Sequence, residues 1–278
     1  MLCGCFFALI AVAFPFVVVA PPVPPPELFE RKMQLPTPLR DPLVALVGEK
    51  CYVSLVENFN ITDIDCVRYS ISKALGFGIV LGGSIVKIPQ IVTILLNGSA
   101  QGLSLASYLL ETSSNIISFA YNWRQGNPFS TYGEILFLTI QNILISILIL
   151  FFARRYGASV GCLAALASFI HCLTNASIVP SWLLSSLYAS TIPLNLASKV
   201  PQIYTNYVNK STGQLSVFAV LNYFLGSTAR VFTTMTELDD PLMLFGGILA
   251  STFNGILLAQ VVLYWGKKVD TEKPKKAD

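Results

Sequence analysis

Charge is scarce in this chain. Asp, Glu, Lys and Arg together make up 12% of its 278 residues, about half of what a soluble domain carries. Hydrophobic residues make up 54%, more apolar surface than a soluble fold of this size can hide, so the chain belongs in a membrane. The net charge is only +3 and the basic residues form no face or stripe, which excludes the electrostatic footprint of a nucleic-acid binder. Histidine is nearly missing as well. His171 stands alone and the six cysteines have no metal-ligand spacing, so no metal centre is expected. No GxSxG string, acidic metal-binding motif or sizeable polar catalytic loop occurs. The chain is therefore read as a non-enzyme without a cofactor, and His171 as a packed or interfacial residue.

What is present falls into blocks. Residues 1–20 are apolar, uncharged and followed by "PPVPPP". They have the form of a signal peptide, with Ala11-Val12-Ala13 and Val18-Val19-Ala20 as cleavage candidates; the lack of a basic leading region leaves an uncleaved anchor helix as the alternative. Residues 21–68 are polar, proline-bearing and without sustained periodicity, and are expected to form a loosely ordered luminal segment. It holds Cys51 and Cys66, which would bridge in an oxidising lumen and otherwise stay free thiols. It also holds the sequon Asn60-Ile61-Thr62, a glycosylation candidate on that side.

Seven spans follow, at about 69–94, 103–122, 134–152, 158–178, 182–207, 215–235 and 242–265, each near the ~20 residues a bilayer requires. Alternate connections carry Arg154 and Arg155, then Lys210, then the lysines of the tail at 266–278, while the opposite side holds Arg124 and the acidic Glu237, Asp239 and Asp240. The positive-inside rule makes the basic side cytosolic, which places the N-terminal segment in the lumen and the C-terminus in the cytosol. The ending "KKAD" puts Lys275 and Lys276 where a dilysine retrieval signal of the endoplasmic reticulum would stand; the alternative is a charged snorkelling tail.

The first and fifth spans share an unusual feature. "KIPQIVTILLNGSAQGLS" (Lys87–Ser104) and "KVPQIYTNYVNKSTGQLS" (Lys199–Ser216) align without gaps at an offset of 112 residues. Lys87, Pro89 and Gln90 fall on Lys199, Pro201 and Gln202, and the same offset carries Asn142 in the third span onto Asn254 in the seventh. The predicted fold is an all-α polytopic membrane protein, with repeats at 69–152 and 182–265. Each repeat is a three-helix bundle, the two run parallel about an axis along the membrane normal, and the fourth span (158–178) inverts the chain between them. A proline within a helix removes a hydrogen bond and costs about 3 kcal/mol, so each break must be repaired by the adjacent glutamine or by a neighbouring helix. Pro89, Gln90, Pro201 and Gln202 then form either paired hinges or static bends.

"KIPQ" and "KVPQ", each opening a three-helix repeat, resemble the PQ-loop family, which includes SWEET sugar transporters, cystinosin and KDEL receptors. Further strings from Glu49 onward, among them "EKCY", "SKALGFGIV", "GEILFL", "ARVFT" and "NGILLAQ", are similar to a branch of that family in the endoplasmic reticulum. The resemblance implies a protein needed for luminal use of dolichol-phosphate-mannose and dolichol-phosphate-glucose in N-glycan precursor and GPI-anchor synthesis. Its implied partners are those lipid-linked sugars, membrane lipid and luminal mannosyltransferases. A carrier of a free small solute on the same fold is the alternative. By the same resemblance Asn142 and Asn254 match asparagines that line the sugar pocket of SWEET-like members; interhelical hydrogen bonding is the plainer role.

Ionisable groups inside spans face the bundle interior by default. Lys87 and Lys199 are candidates to meet a phosphate, or else snorkel to the cytosolic interface. Glu111 and Arg230 lie at depths about 10 Å apart, too far for a direct pair. Glu111 is expected to neutralise one of the lysines, and Arg230 to contact a phosphate or hold the "ELDDP" loop.

Overall fold

The computed structural model describes residues 35–197, 199–212 and 217–265. The candidate signal sequence at 1–20 and the candidate retrieval lysines Lys275 and Lys276 lie outside those residues. The described residues are helical, without a strand.

The first helix corrects an expectation. Thr37–Tyr52 (α1) and a π-helical turn at Val53–Glu57 occupy much of the segment expected to be loosely ordered. Periodicity misses α1 because it is broken twice: Pro42 lies inside it, and Gly48 takes a positive φ of 79° that a side chain would resist. A disulfide joins Cys51, at its end, to Cys66 in the next helix. Between them Asp63 caps that helix, accepting from the Cys66 N–H at 3.2 Å and from the Ser54 hydroxyl at 2.6 Å. Those two donors hold its carboxyl below the usual carboxylate range. Asn60 is exposed, and its side-chain oxygen accepts from Thr62 at 2.6 Å.

The bundle begins with α2 (Ile64–Ile85) and α3 (Ile88–Asn97), which meet at Lys87. It continues through α4 (Leu105–Gln125), α5 (Phe129–Phe152) and α6 (Tyr156–Thr174). The second half follows as α7 (Ser181–Ala197), α8 (Lys199–Asn209), α9 (Val217–Glu237) and α10 (Pro241–Leu263). The helical units thus fall where the seven spans were predicted, shifted by a few residues, and α2 starts inside the segment assigned to the N-terminal region. Among the described residues four units are long and apolar enough to cross a membrane: α2 with α3, α5, α6 and α10. The α4 and α9 units carry more polar side chains, and α7 and α8 lie on either side of residue 198, which is outside the described residues.

Two close approaches set the first repeat. A Cβ on Gly76 would meet the Ser130 carbonyl at 2.8 Å, and one on Gly83 would collide with Glu134, so α2 and α5 pack nearly backbone to backbone. Across the middle, α2 lies against α9 and α4 against α7. These pairs exchange under the 112-residue offset, as a two-fold arrangement of the repeats requires. Buried Ile116, Tyr121, Leu184 and Met243 join the halves, with α6 contributing Leu166 and Leu173. The rings of Tyr121 and Tyr188 stack there at 4.3 Å.

Candidate functional site

The first proline break is repaired from a neighbouring helix. The chain leaves helical geometry at Lys87 (φ −100°, ψ −3°), which frees the carbonyls of Gly83 and Ser84 and the Lys87 N–H. Gln141 of α5 serves all three. Its Oε1 accepts from Lys87 N at 2.9 Å, and its Nε2 donates to Gly83 O at 2.8 Å and Ser84 O at 3.1 Å. The Lys87 ammonium turns into the bundle. It donates to Asn142 Oδ1 at 2.6 Å, pairs with Glu111 at 2.7 Å and lies 5.2 Å from the centre of the Tyr108 ring.

The second repeat reproduces the core of this arrangement. Lys199 donates to Asn254 Oδ1 at 2.6 Å, the counterpart of the Lys87–Asn142 bond. Asn254 Nδ2 donates in turn to Tyr223 O at 3.1 Å and Ser227 Oγ at 3.0 Å. Farther along, Gln260 accepts from Asn206 at 3.0 Å and donates to Ile203 O at 2.9 Å, holding α8 to α10. Each asparagine is thus tied to the lysine of its own repeat. Asn142 is fully buried and its Nδ2 has no partner. Pro89 and Pro201 lie on exposed helix surface and Gln90 and Gln202 are half-buried. The first break is supported from within its own repeat.

Arg230 corrects an expectation. It neither holds the "ELDDP" loop nor stands free for a phosphate; it forms an ion pair with Glu134 of α5 at 2.5 Å and donates to Thr131 O at 2.8 Å. Both side chains are mostly buried, and burial at this depth demands a counter-ion. The repeat-related positions hold Ser118 and Gly246, and both line a cavity of about 300 Å³ between the repeats. Ser114, Asn115, Tyr188 and Asn195 contribute to its lining; Asn115 Nδ2 and Glu134 Oε2 are buried without a hydrogen-bond partner. Nearer the 126–128 end, Lys73 and Glu237 form a second interior pair at 2.7 Å, with side chains 10% and 1% exposed. Ser72 and Ser130 donate to the same carboxylate.

Glu134, Lys73, Glu237, Gln141 and Asn115 escaped the sequence reading. Lys73 and Glu134 could have been flagged as ionisable residues within predicted spans. Glu237 was assigned to an acidic loop, and the two amides carried no signal. His171 lies exposed on α6.

Two matched helical units, each with a Lys-x-Pro-Gln string and an interior lysine–amide pair, define a repeat-built polytopic membrane protein. The PQ loop repeat model matches residues 71–131 and 183–243, so the chain carries two PQ-loop repeats, at the 112-residue offset of the quoted strings. It is 26% identical over 182 residues to human Solute carrier family 66 member 3, an alignment covering 64% of this chain and 87% of that protein. No solved structure matches.

Proposed function

We propose that this protein makes dolichol-phosphate-mannose and dolichol-phosphate-glucose usable on the luminal side of the endoplasmic reticulum membrane, by moving or presenting their head groups. One observation carries the reading: a lysine ammonium and an asparagine amide stand 2.6 Å apart in each repeat, which gives the bundle an interior ammonium for an anion. An ammonium is the partner a phosphodiester needs, and the amide beside it holds the ammonium in place. The strings from Glu49 onward support it, since they resemble the mannose-P-dolichol utilization defect 1 protein. The N-terminal segment would then face the lumen, and luminal mannosyltransferases would be the downstream partners.

The test is the lipid-linked oligosaccharide profile of depleted cells. Truncated species assembled from nucleotide-sugar donors should accumulate while dolichol-phosphate-mannose stays abundant. A normal profile would refute the reading in favour of a free-solute carrier. That second reading has its own support: the similarity to a protein named a solute carrier, and a cavity between the repeats large enough for a small solute, with polar groups among its lining.

A further inference from the structure

Lys87 and Lys199 occupy the same repeat position and each donates to the matching asparagine of its own repeat, but among the described residues only Lys87 has a counter-ion. Glu111 pairs with Lys87 at 2.7 Å. The 112-residue offset puts Tyr223 at the matching place in the second repeat, and Val220 at the place of Tyr108. Tyr223 contributes only its backbone carbonyl, to Asn254. Among the described residues no carboxylate lies within salt-bridge distance of Lys199. Both lysines are half-buried.

A half-buried ammonium in an apolar bundle is costly unless an anion is near. The first repeat meets that need internally. Among the described residues the second does not, although the duplication supplied the lysine, the amide and the proline alike. We infer that Lys199 is the anion-binding residue of this protein, taking a singly charged group such as a phosphodiester, and that Lys87 with Glu111 is its neutral structural twin. Asn254 aims the ammonium: its Oδ1 accepts from Nζ while its Nδ2 is held by Tyr223 O and Ser227 Oγ, so the amide cannot turn. Ser227 and the Thr228–Ser251 hydroxyl pair (2.8 Å) add polar groups on the adjoining stretch of α9 and α10. This inference deepens the proposed function, resting on it only for the lipid that carries the anion.

The test is direct binding to purified full-length protein in zwitterionic detergent. The probes are a short-chain isoprenyl phosphoryl mannose, the uncharged isoprenyl mannoside, and mannose 1-phosphate. A charge-assisted hydrogen bond is worth about 1.5–3 kcal/mol, or roughly ten- to a hundredfold in affinity. The phosphoryl lipid should therefore bind at least about tenfold tighter than the neutral mannoside, and Lys199→Gln should erase that difference. Tyr223→Glu should erase it too, by installing the counter-ion that the first repeat already has, and it tests the idea even if Lys199→Gln fails to fold. Lys199→Arg should keep binding, and the paired Lys87→Gln/Glu111→Gln variant should stay within about threefold of wild type. Mannose 1-phosphate binding as tightly as the lipid, with the same dependence on Lys199, would uphold the anion site and refute the lipid as its source. Equal affinity for charged and neutral lipids, no binding of either anion, or an equal loss in the Lys87/Glu111 variant would overturn the inference and leave the proposed function to its own test.

Discussion

Replacing Gln141 with leucine removes the side chain that repairs the first proline break while keeping most of its volume. Three hydrogen bonds go at once: the acceptor for Lys87 N–H and the donors to Gly83 O and Ser84 O. Gln141 is only 7% exposed, so water does not replace it freely. Side-chain hydrogen bonds within membranes average about 0.6 kcal/mol, whereas a buried backbone group left unsatisfied costs about 1–3 kcal/mol. The loss should therefore be about 2–4 kcal/mol, toward the upper end if the Lys87 N–H finds no other acceptor. Unfolding in mixed micelles, followed by the fluorescence of the three tryptophans, measures it. Phe253 stands at the matching position in the second repeat and forms no such bridge, so Phe253→Leu should shift stability by no more than about 1 kcal/mol. If Gln141→Leu unfolds with the wild type, the break is not held by this amide and the account of the first repeat fails.

Other perturbations follow from the same geometry. Pro89→Ala and Pro201→Ala should reduce activity more than they reduce folded protein, as moving hinges require; parallel loss of both in expression and complementation assays would make the breaks static packing. Glu237→Gln should cost about 3–5 kcal/mol by leaving Lys73 buried without its carboxylate, and the double change Lys73→Met/Glu237→Leu should recover much of that in the same unfolding assay. Asp63 has a carboxyl held below its ordinary range, so its capping of α2 should be complete above about pH 4 and fade as pH falls through the lowered value. The protection factor of the Cys66 amide, taken relative to its intrinsic exchange rate at each pH, should fall on that descent, and Asp63→Asn should abolish that change.

Much of the architecture was legible before any coordinates. The offset of 112 identified the repeats, and the matched regions 71–131 and 183–243 keep the same spacing. Hydropathy put the helix ends within a few positions, where the structure has Gly98 and Gly126 closing α3 and α4 in the left-handed conformation and Asp240 opening α10 by accepting from Leu242 and Met243. The α1 helix was missed because proline and a positive-φ glycine interrupt its pattern. Arg230 was misassigned because depth along a helix says little about which helix lies opposite.

Sequence alone determined that this is a helical membrane protein made from one motif used twice, because hydropathy and a repeated string are properties of the chain in order. Only the tertiary structure decided which charge meets which. Lys87, Lys73 and Arg230 each acquire a carboxylate from another helix, 24, 164 and 96 residues away in the chain. Those meetings depend on how each helix is rotated about its axis and where it crosses its neighbour, which packing sets and hydropathy does not encode. The sequence carries Tyr223 where the first repeat has Glu111, but that Glu111 reaches Lys87 at all is decided by geometry, since an ion pair is made across space.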